Sequence, residues 1–340
     1  MPEAFLRLPP GEQREALEVA SDRSGRPTHL LEKDVWVVWA LGAVFDTPFG
    51  NHLAFKGGTS LSKAYRVIQR FSEDIDLTLD VRYLLADHGT MTPDGLPPNK
   101  TQAAKWTKKV RALLPEWVAD TLVPTLEQAA ERDGLTATIR ADGEKVYIDH
   151  DHVAVGTGYA SPSVMLELGA RATGEPVEVK PIACDAAENL KELAFPTASP
   201  RVMRAERTFW EKATAAHVYC LQEKLRGDRF SRHWHDLARL AEAGIAASAV
   251  ADHDLALAVA DHKSLFFAEK DATKAPIDYR RPYPGRSAWC RLGLGFRGWK
   301  GTTRAWLQTG SCGETRNPSA SSWTGARGSR PCSITGKGRS

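Results

Sequence analysis

The sequence predicts an α+β protein, in which a mixed sheet core with flanking helices precedes a helical C-terminal part. Two observations predict this class. Short apolar or alternating runs, typical of strands, are interspersed with helical periodicity in the first 195 residues, and helical patterns dominate from there to about residue 268. We therefore predict a core over 1–195, a helical lobe over 196–279 and an anomalous segment over 280–340.

The first predicted elements form the start of the core. Residues 13–22 have the pattern of a short helix, and 29–45 are almost continuously apolar, which indicates a buried helix. Leu53–Lys56 predicts a short strand and 59–69 a helix. Asp74–Asp80 alternates apolar and polar residues, as a half-buried strand does.

The remaining elements are predicted from turn signals and periodicity. Residues 86–101 are a loop, and 102–131 are helical with interruptions near Pro115 and Pro124. A hairpin turns at Asp142 and Gly143, and strands follow at 163–168 and 176–182. The later predictions are a helix that starts at Ser199 and Pro200 and runs to about residue 224, a polar link over 225–233, and helices over 234–243 and on to about 268.

Composition limits the function classes. No run approaches the ~18 apolar residues of a membrane span, and the N-terminus lacks the pattern of a secretory signal. The five cysteines have no paired spacing, which argues against a disulfide framework and fits a reducing compartment. We expect a cytoplasmic protein without membrane contact.

The charge is unevenly distributed. Residues 280–340 hold 12 Lys or Arg and a single acid, Glu314, which leaves 33 basic and 41 acidic residues in 1–279. The same segment is rich in Gly, Arg, Ser and Trp and has no sustained period. It predicts either a shifted reading frame, a disordered basic arm for nucleic acid, or a small domain.

Asp74 and Asp76 are the first candidate site residues. In a strand, residues i and i+2 point to the same face, and two such carboxylates repel unless a cation lies between them. Mg²⁺ prefers one or two carboxylates together with substrate phosphate oxygens. The pair therefore predicts a metal site for phosphoryl or nucleotidyl transfer, although a solvated surface pair explains the motif on its own.

A glycine turn precedes this pair. Gly57 and Gly58 lie between a strand and a helix, where glycine permits close backbone approach to a ligand. The helix start favours an anion, and Thr59 and Ser60 add hydroxyl donors. Lys63, one turn further on, could reach a triphosphate. A simple turn is the alternative.

The order of these features changes their meaning. A strand, Gly-Gly-Thr/Ser, a helix and Asp-x-Asp on a strand together resemble the signature of the polymerase-beta-like nucleotidyltransferases. The chain further resembles the AbiEii/AbiGii nucleotidyltransferase toxin family, over roughly 25–270 and not beyond about Asp278. The matching blocks are EKDVWVVWAL, FKGGTSLSKAY, RFSEDIDLTL, VMLELGAR, ERTFWEKATAAH and SRHWHDLARL.

The resemblance implies the toxin half of a toxin–antitoxin or abortive-infection system, with an NTP substrate, Mg²⁺ as cofactor and a cognate antitoxin as partner. Some family members add nucleotides to tRNA, so an RNA acceptor is expected. The resemblance assigns metal binding to Asp74 and Asp76, and catalytic roles to Lys212 of the ERTFWEK motif and Asp236 of the WHDL motif. It assigns nucleotide binding to the glycine turn and the lysines beside it, which are Lys56, Gly57, Gly58, Thr59, Ser60 and Lys63.

The residues themselves support parts of this assignment. Lys212 lies on an otherwise apolar helix, where it would either extend to solvent or neutralise a triphosphate. Asp236 would cap its helix, orient Lys212 or act as a base. Glu167 alternates out of an apolar strand and is the candidate third metal ligand. Arg207, and more weakly Arg171, are candidate phosphate contacts.

Two other polar motifs are interpreted more conservatively. Asp149, His150, Asp151 and His152 include metal-binding types, but consecutive strand residues alternate faces, so at most two of them could share an ion. We interpret them as a polar hairpin end. His233 and His235 are at most interface or RNA contacts.

Three function hypotheses remain open at this point. The first is a Mg²⁺-dependent transfer of NMP from an NTP to RNA, with tRNA as the expected acceptor. The second is a nucleotidyltransferase that modifies a protein or small-molecule hydroxyl, which the acidic composition of 1–279 favours. The third is an inactive remnant with a damaged C-terminus.

Overall fold

The structure is a computed structural model that describes residues 2–70, 74–88, 91–154, 163–222 and 227–280, without the side chains of 227–231. The predicted anomalous segment lies outside this range except for Arg280. The α-helices of the described chain are α1 (Pro10–Ser24), α2 (Thr28–Phe45), α3 (Gly57–Lys63), α4 (Val81–Leu84), α5 (Lys100–Trp117), α6 (Val123–Asp133), α7 (Ala205–Gln222), α8 (Gly227–Glu242), α9 (Ile245–Ala251) and α10 (His253–Phe266).

A mixed seven-stranded sheet forms the centre. Its strands are β2 (Leu53–Lys56), β3 (Asp74–Asp80), β4 (Ala137–Asp142), β5 (Lys145–His150), β6 (Val164–Ala172), β7 (Val177–Val179) and β11 (Arg201–Met203). Their order in the sheet is β4-β5-β6-β3-β2-β11-β7. The β3–β6 and β2–β11 pairs are parallel and the other pairs antiparallel. Short pairs outside it are β1 (Glu3–Ala4) with β9 (Leu193–Ala194), and β8 (Ile182–Ala183) with β10 (Thr197–Ala198).

Helix α2 is the buried helix that its apolar sequence predicts. It packs against α1, α6 and β6, and nearly all its residues from Leu31 to Val44 are buried. Strand β3 lies between β2 and β6, with Ile75, Leu77 and Leu79 fully buried. The alternation in its sequence therefore becomes one core face and one polar face.

Three predicted element boundaries are wrong. Helix α3 ends at Lys63 rather than near 69, because the chain turns at Arg66, whose φ is 54°. The sequence around Ser199 and Pro200 does not start a helix, since β11 follows and α7 begins only at Ala205. The link predicted over 225–233 is helical from Gly227.

Other predictions are confirmed. The hairpin at Asp142 and Gly143 joins β4 to β5, and β6 covers the predicted strand at 163–168. The helical stretch after residue 100 continues past Pro115 through a π-helical turn into α6. In the part of the chain that the structure describes, no helix is long and apolar enough to cross a membrane.

Strand β11 joins the segment after residue 195 to the central sheet, because Val202 pairs with Phe55 of β2. Helices α7–α10 then pack on one another, and α10 also contacts α5. As a result, residues of α7 and α8 lie near the polar face of β3. The division of the described chain into a core and a helical lobe stays a prediction.

Candidate active site

The polar face of β3 contributes two carboxylates to the site, and the neighbouring strand β6 contributes a third. Asp74 and Asp76 alternate with buried Ile75 and Leu77, as the sequence predicts. In the parallel ladder to β6, Asp76 pairs with Glu167. On the other side Asp76 pairs with Lys56 of β2. In the sheet, Asp76 therefore has a second carboxylate on one side and a cation on the other.

Gly57 is required by the position of Asp76. A Cβ atom at residue 57 would lie 2.0 Å from Oδ2 of Asp76, and the φ of Gly57 is +78°. Any other residue would clash with the carboxylate and adopt a costly left-handed backbone. The glycine thus allows the turn between β2 and α3 to pass directly beside the Asp76 side chain.

The carboxylates line a cavity of about 520 Å³. Its other walls are mostly basic or aromatic, and Lys212 reaches it from α7. The cavity is lined by Asp74, Asp76 and Glu167, by Lys33, Arg70, Lys145, Lys212 and Arg232, and by Gly58, Tyr147, Ser163, Met165 and His233. An acidic floor and a ring of cations are the two components needed to bind a metal–triphosphate complex.

The carboxylate of Asp236 contacts two of the cations that line this cavity. Its fully buried carboxylate accepts hydrogen bonds from Arg70 at 3.0 and 2.7 Å and lies 2.9 Å from Nζ of Lys212. Nδ1 of His235 lies 3.2 Å away. Burial alone would raise the pKa of Asp236, but the bonds from His235 and Arg70 and the Lys212 charge hold it well below its usual range.

Asp76 has the opposite electrostatic environment. Burial raises its pKa first, and the charges of Glu167 and Asp74 raise it further, against the lowering effect of Lys56 and Lys212. A carboxylate whose negative charge is disfavoured in this way is stabilised by a bound cation.

The donor set at Asp74 and Asp76 fits a hard divalent ion such as Mg²⁺, because both ligands are carboxylates that line the same cavity. Glu167 fits less well. Its side chain is half exposed, and one of its oxygens lies 3.6 Å from Nζ of Lys145. Its role as a third ligand stays a prediction.

The predicted phosphate turn is held by its own hydroxyl groups. Thr59 donates to the carbonyl of Asp74, and Ser60, fully buried, donates to the carbonyl of Gly57 at 3.0 Å. Gly58 lines the carboxylate cavity. These contacts fix the turn against β3, so the two hydroxyls already have partners within the protein.

Two predicted nucleotide contacts lie elsewhere. Nζ of Lys63 lies 2.6 Å from Asp34 and 2.8 Å from Asp185, in a second cavity of about 220 Å³ that touches the first at Arg70. Arg207 donates to the carbonyl of Glu175 and to Glu211. The structure does not bring either side chain to the carboxylate cavity.

Several residues that line the cavity were not predicted from the sequence. Arg70 lies in the RFSEDIDL block, but nothing in that block indicates that it binds Asp236, 166 residues away. Lys145 and Tyr147 become candidates only once β5 is known to pair with β6. Lys33, in the first matching block, lies between Glu32 and Asp34 near the start of an otherwise apolar helix, and nothing in that pattern points to the cavity.

The motif interpreted as a polar hairpin end has a further member. Glu32 of α2 lies beside His150 and His152, and one ligand atom from each lies within 4.8 Å of the others. The sequence correctly limited the histidine motif to two residues on one face, but it could not show the carboxylate that joins them from 118 residues away.

Comparisons with known proteins identify a family over most of the chain. Residues 39–289 match the family model described as nucleotidyl transferase AbiEii toxin, type IV toxin–antitoxin system, past the expected limit at Asp278. No curated protein matches the chain. A solved structure of MenT4, a nucleotidyltransferase toxin from Mycobacterium tuberculosis H37Rv, is similar with 20% identity and a TM-score of 0.35. The similarity covers 60% of this chain and 59% of that chain.

Proposed function

The chain belongs to the AbiEii family of nucleotidyltransferase toxins, and on this premise we propose that it transfers a nucleoside monophosphate from an NTP to an RNA end in a Mg²⁺-dependent reaction. The expected acceptor is tRNA. One observation carries the proposal: Asp74 and Asp76 on β3 and Lys212 on α7 line the same cavity. In the reaction, the acceptor hydroxyl loses its proton to solvent, its oxygen bonds to the α-phosphorus, and the bond from that phosphorus to the pyrophosphate oxygen breaks.

Asp74 and Asp76 would hold the ion, and when bound Mg²⁺ neutralises charge on the triphosphate and on the pyrophosphate that leaves. The protein's part is to keep both carboxylates on one face. The alternation of side chains along β3 achieves this, and the absence of a side chain at Gly57 leaves room for the Asp76 carboxylate. Lys56, beside Asp76 on β2, adds a positive charge at the edge of the same group.

Lys212 and Arg70 supply positive charge to the phosphates. Both contact the single carboxylate of Asp236, which leaves one of their two charges uncompensated within this network. An excess cation in a partly desolvated cavity attracts a polyanion. Asp236 is suited to orienting these cations rather than to taking a proton, because it is fully buried and its pKa lies far below its usual range.

Support for an RNA acceptor comes from the cavity walls. Lys33, Lys145 and the exposed Arg232 are suited to phosphate contacts. Tyr147 carries the guanidinium of Arg140 on one ring face, 4.1 Å from the centroid, which leaves the opposite face for a base. The acidic composition of 1–279 favours the alternative, a hydroxyl on a protein or small molecule. We favour RNA because the basic residues are local to the cavity.

The family description also implies an antitoxin partner. We infer that expression of this chain arrests growth and that a cognate antitoxin relieves the arrest. The cytoplasm, where NTP, RNA and Mg²⁺ are available together, is the expected location.

The test is incubation of the full chain with each α-labelled NTP and Mg²⁺ in the presence of total RNA, lysate protein or neither. Label on an RNA band of tRNA size supports the proposal. Label on protein or small molecules alone shows the alternative acceptor and overturns the RNA assignment. Loss of transfer in excess chelator, restored by Mg²⁺, tests the metal requirement.

Matched variants separate the site from general damage. We expect Asp74→Ala and Asp76→Ala to abolish both labelling and growth arrest, while the exposed Asp120→Ala retains both. Toxicity that survives the double substitution of Asp74 and Asp76 would contradict the mechanism, provided that circular dichroism shows the variant folded.

A further inference from the structure

Outside the carboxylate cavity, one cluster brings together three side chains with metal-binding chemistry. Glu32 lies in the first turns of α2, His150 ends β5 and His152 follows two residues later. Nδ1 of His150 lies 3.9 Å, and Nδ1 of His152 3.8 Å, from the same oxygen of Glu32. It is the one such set of three or more His, Cys, Asp or Glu ligands among the residues whose positions the structure describes.

The cluster has a structural function that does not use its histidines. Glu32 accepts hydrogen bonds from the backbone N–H groups of Val153 at 2.9 Å and Ala154 at 3.1 Å, and it thereby anchors the chain after β5. These bonds do not require an imidazole. They also leave the carboxylate with lone pairs for a further contact, because each of its oxygens can accept more than one bond.

His150 is the residue that the anchor leaves unexplained. Its side chain is only 1% exposed and stacks on Trp36 at 4.4 Å between ring centroids. One of its ring nitrogens, Nε2, is buried without a hydrogen-bond partner in the described structure. The other nitrogen, Nδ1, lies 3.2 Å from the carbonyl oxygen of Asp151 and 3.9 Å from Glu32, so it is the ring atom that a ligand at this cluster would engage.

We propose that Glu32, His150 and His152 bind a Zn²⁺ ion, at a site separate from the Mg²⁺ site of Asp74 and Asp76. Two imidazoles and one carboxylate suit zinc, whereas Mg²⁺ prefers all-oxygen ligands. The fourth position is left to water on the side of His152, which is 37% exposed and gives the ion a route from solvent.

The geometry requires only a small adjustment. Zinc bonds of ~2.0–2.2 Å in a tetrahedron place ligand atoms ~3.3–3.5 Å apart. The two separations to Glu32, 3.8 and 3.9 Å, exceed this by about half an ångström, and the ligand atoms of the two imidazoles lie within 4.8 Å of each other, so side-chain rotations would have to bring the set together.

The bound ion would join two elements that form a wall of the carboxylate cavity. Lys33 follows Glu32 on α2, and Tyr147 lies three residues before His150 on β5; both line that cavity. Zinc would link the start of α2 to the end of β5 and so stabilise this wall. The inference does not depend on the acceptor or on transferase activity.

The test is Zn²⁺ binding by the metal-stripped full chain, measured by equilibrium dialysis and elemental analysis in excess Mg²⁺ to occupy the oxygen site. We expect His152→Ala to weaken the site at least ~100-fold, because even a residue that only orients a ligand is worth about 10–100-fold in metal affinity. Zinc should also raise the melting temperature of the wild type and not that of His152→Ala.

Three matched variants complete the experiment. His88→Ala removes an exposed histidine outside the cluster and should bind zinc as the wild type does. The double variant Asp74→Asn/Asp76→Asn should also retain the zinc site, and Glu32→Gln should lose it. Cysteines elsewhere in the chain can bind zinc, so the difference between variants decides the outcome. Equal affinity of wild type, His152→Ala and Glu32→Gln would overturn the proposal.

Discussion

Two buried ionic networks flank the turn between β2 and α3, and each contains a lysine predicted from the sequence as a site residue, Lys212 with a catalytic role and Lys63 with a role in nucleotide binding. In the cavity network, one carboxylate, Asp236, serves two cations, Arg70 and Lys212. In the anchor network, one cation, Lys63, serves two carboxylates, Asp34 and Asp185. The two networks use the same residue types in opposite proportions.

The proportion decides what each network can do. The cavity network has an excess positive charge beside the carboxylate cavity, where a triphosphate would complete it. In the anchor network, Arg26 also pairs with Asp185, so two cations balance two carboxylates and no charge remains for a ligand. A buried lysine near a glycine turn is therefore not sufficient evidence for phosphate binding, because the number of carboxylates around it determines its role.

The largest expected effect is on catalysis through the cavity network. Lys212→Ala should reduce kcat for NMP transfer by ~10³-fold or more, equivalent to at least about 4 kcal/mol of transition-state stabilisation, because positioned cations dominate phosphoryl transfer. In this variant Asp236 still pairs with Arg70, so the free energy of unfolding should fall by less than the transition-state stabilisation does. Single-turnover kinetics and urea unfolding measure the two quantities, and transfer within tenfold of the wild type would contradict the role of Lys212.

The next effect is on stability through the anchor network. Lys63→Ala leaves Asp34 and Asp185 without their shared cation and should lower the free energy of unfolding by about 3 kcal/mol, within the range for a broken buried pair. The folded fraction should bind NTP normally.

Arg66→Ala is the matched control for this change. It removes a surface pair with Glu188, 74% and 63% exposed, and should cost less than ~1 kcal/mol. If Lys63→Ala instead weakens NTP binding as strongly as Lys212→Ala does, the contrast between the networks is wrong and Lys63 contacts the nucleotide.

The smallest effect compares the two aspartates. Asp236→Asn should cost ~2 kcal/mol, because it leaves Arg70 and Lys212 without a negative charge. Asp34→Asn should cost less than ~1 kcal/mol, because burial raises the pKa of Asp34 against the opposing charge of Lys63, and an asparagine oxygen could still accept from the Asp185 N–H. Chemical unfolding of both variants at pH 7 measures the difference.

Acid should separate the same two carboxyls. The folded-state pKa of Asp236 is lowered, so the unfolded state binds its proton first and this stabilisation is lost below about pH 4. The folded-state pKa of Asp34 is raised, so its contribution has the opposite sign. The stability of the wild type should therefore fall more steeply with acid than that of Asp236→Asn.

Local pattern predicted the elements well where burial dictates the residue types, on one face of β3 and all round most of α2. The alternation in β3 and the apolar run of α2 each require a particular burial, and both occur as predicted. Boundaries failed where local signals compete with pairing. Ser199 and Pro200 form a good helix start, yet the chain continues as β11 because Val202 pairs with Phe55 in the sheet.

The sequence by itself determined that Asp74 and Asp76 share a face beside a glycine turn, since a period of two and the freedom of glycine are local properties. Only the tertiary structure decided which lysine accompanies them. Asp236, 24 residues after Lys212, directs that side chain to the carboxylate cavity, whereas Asp34 and Asp185 hold Lys63 in the other. Ion pairing depends on distance in space, and spacing along the chain does not specify it.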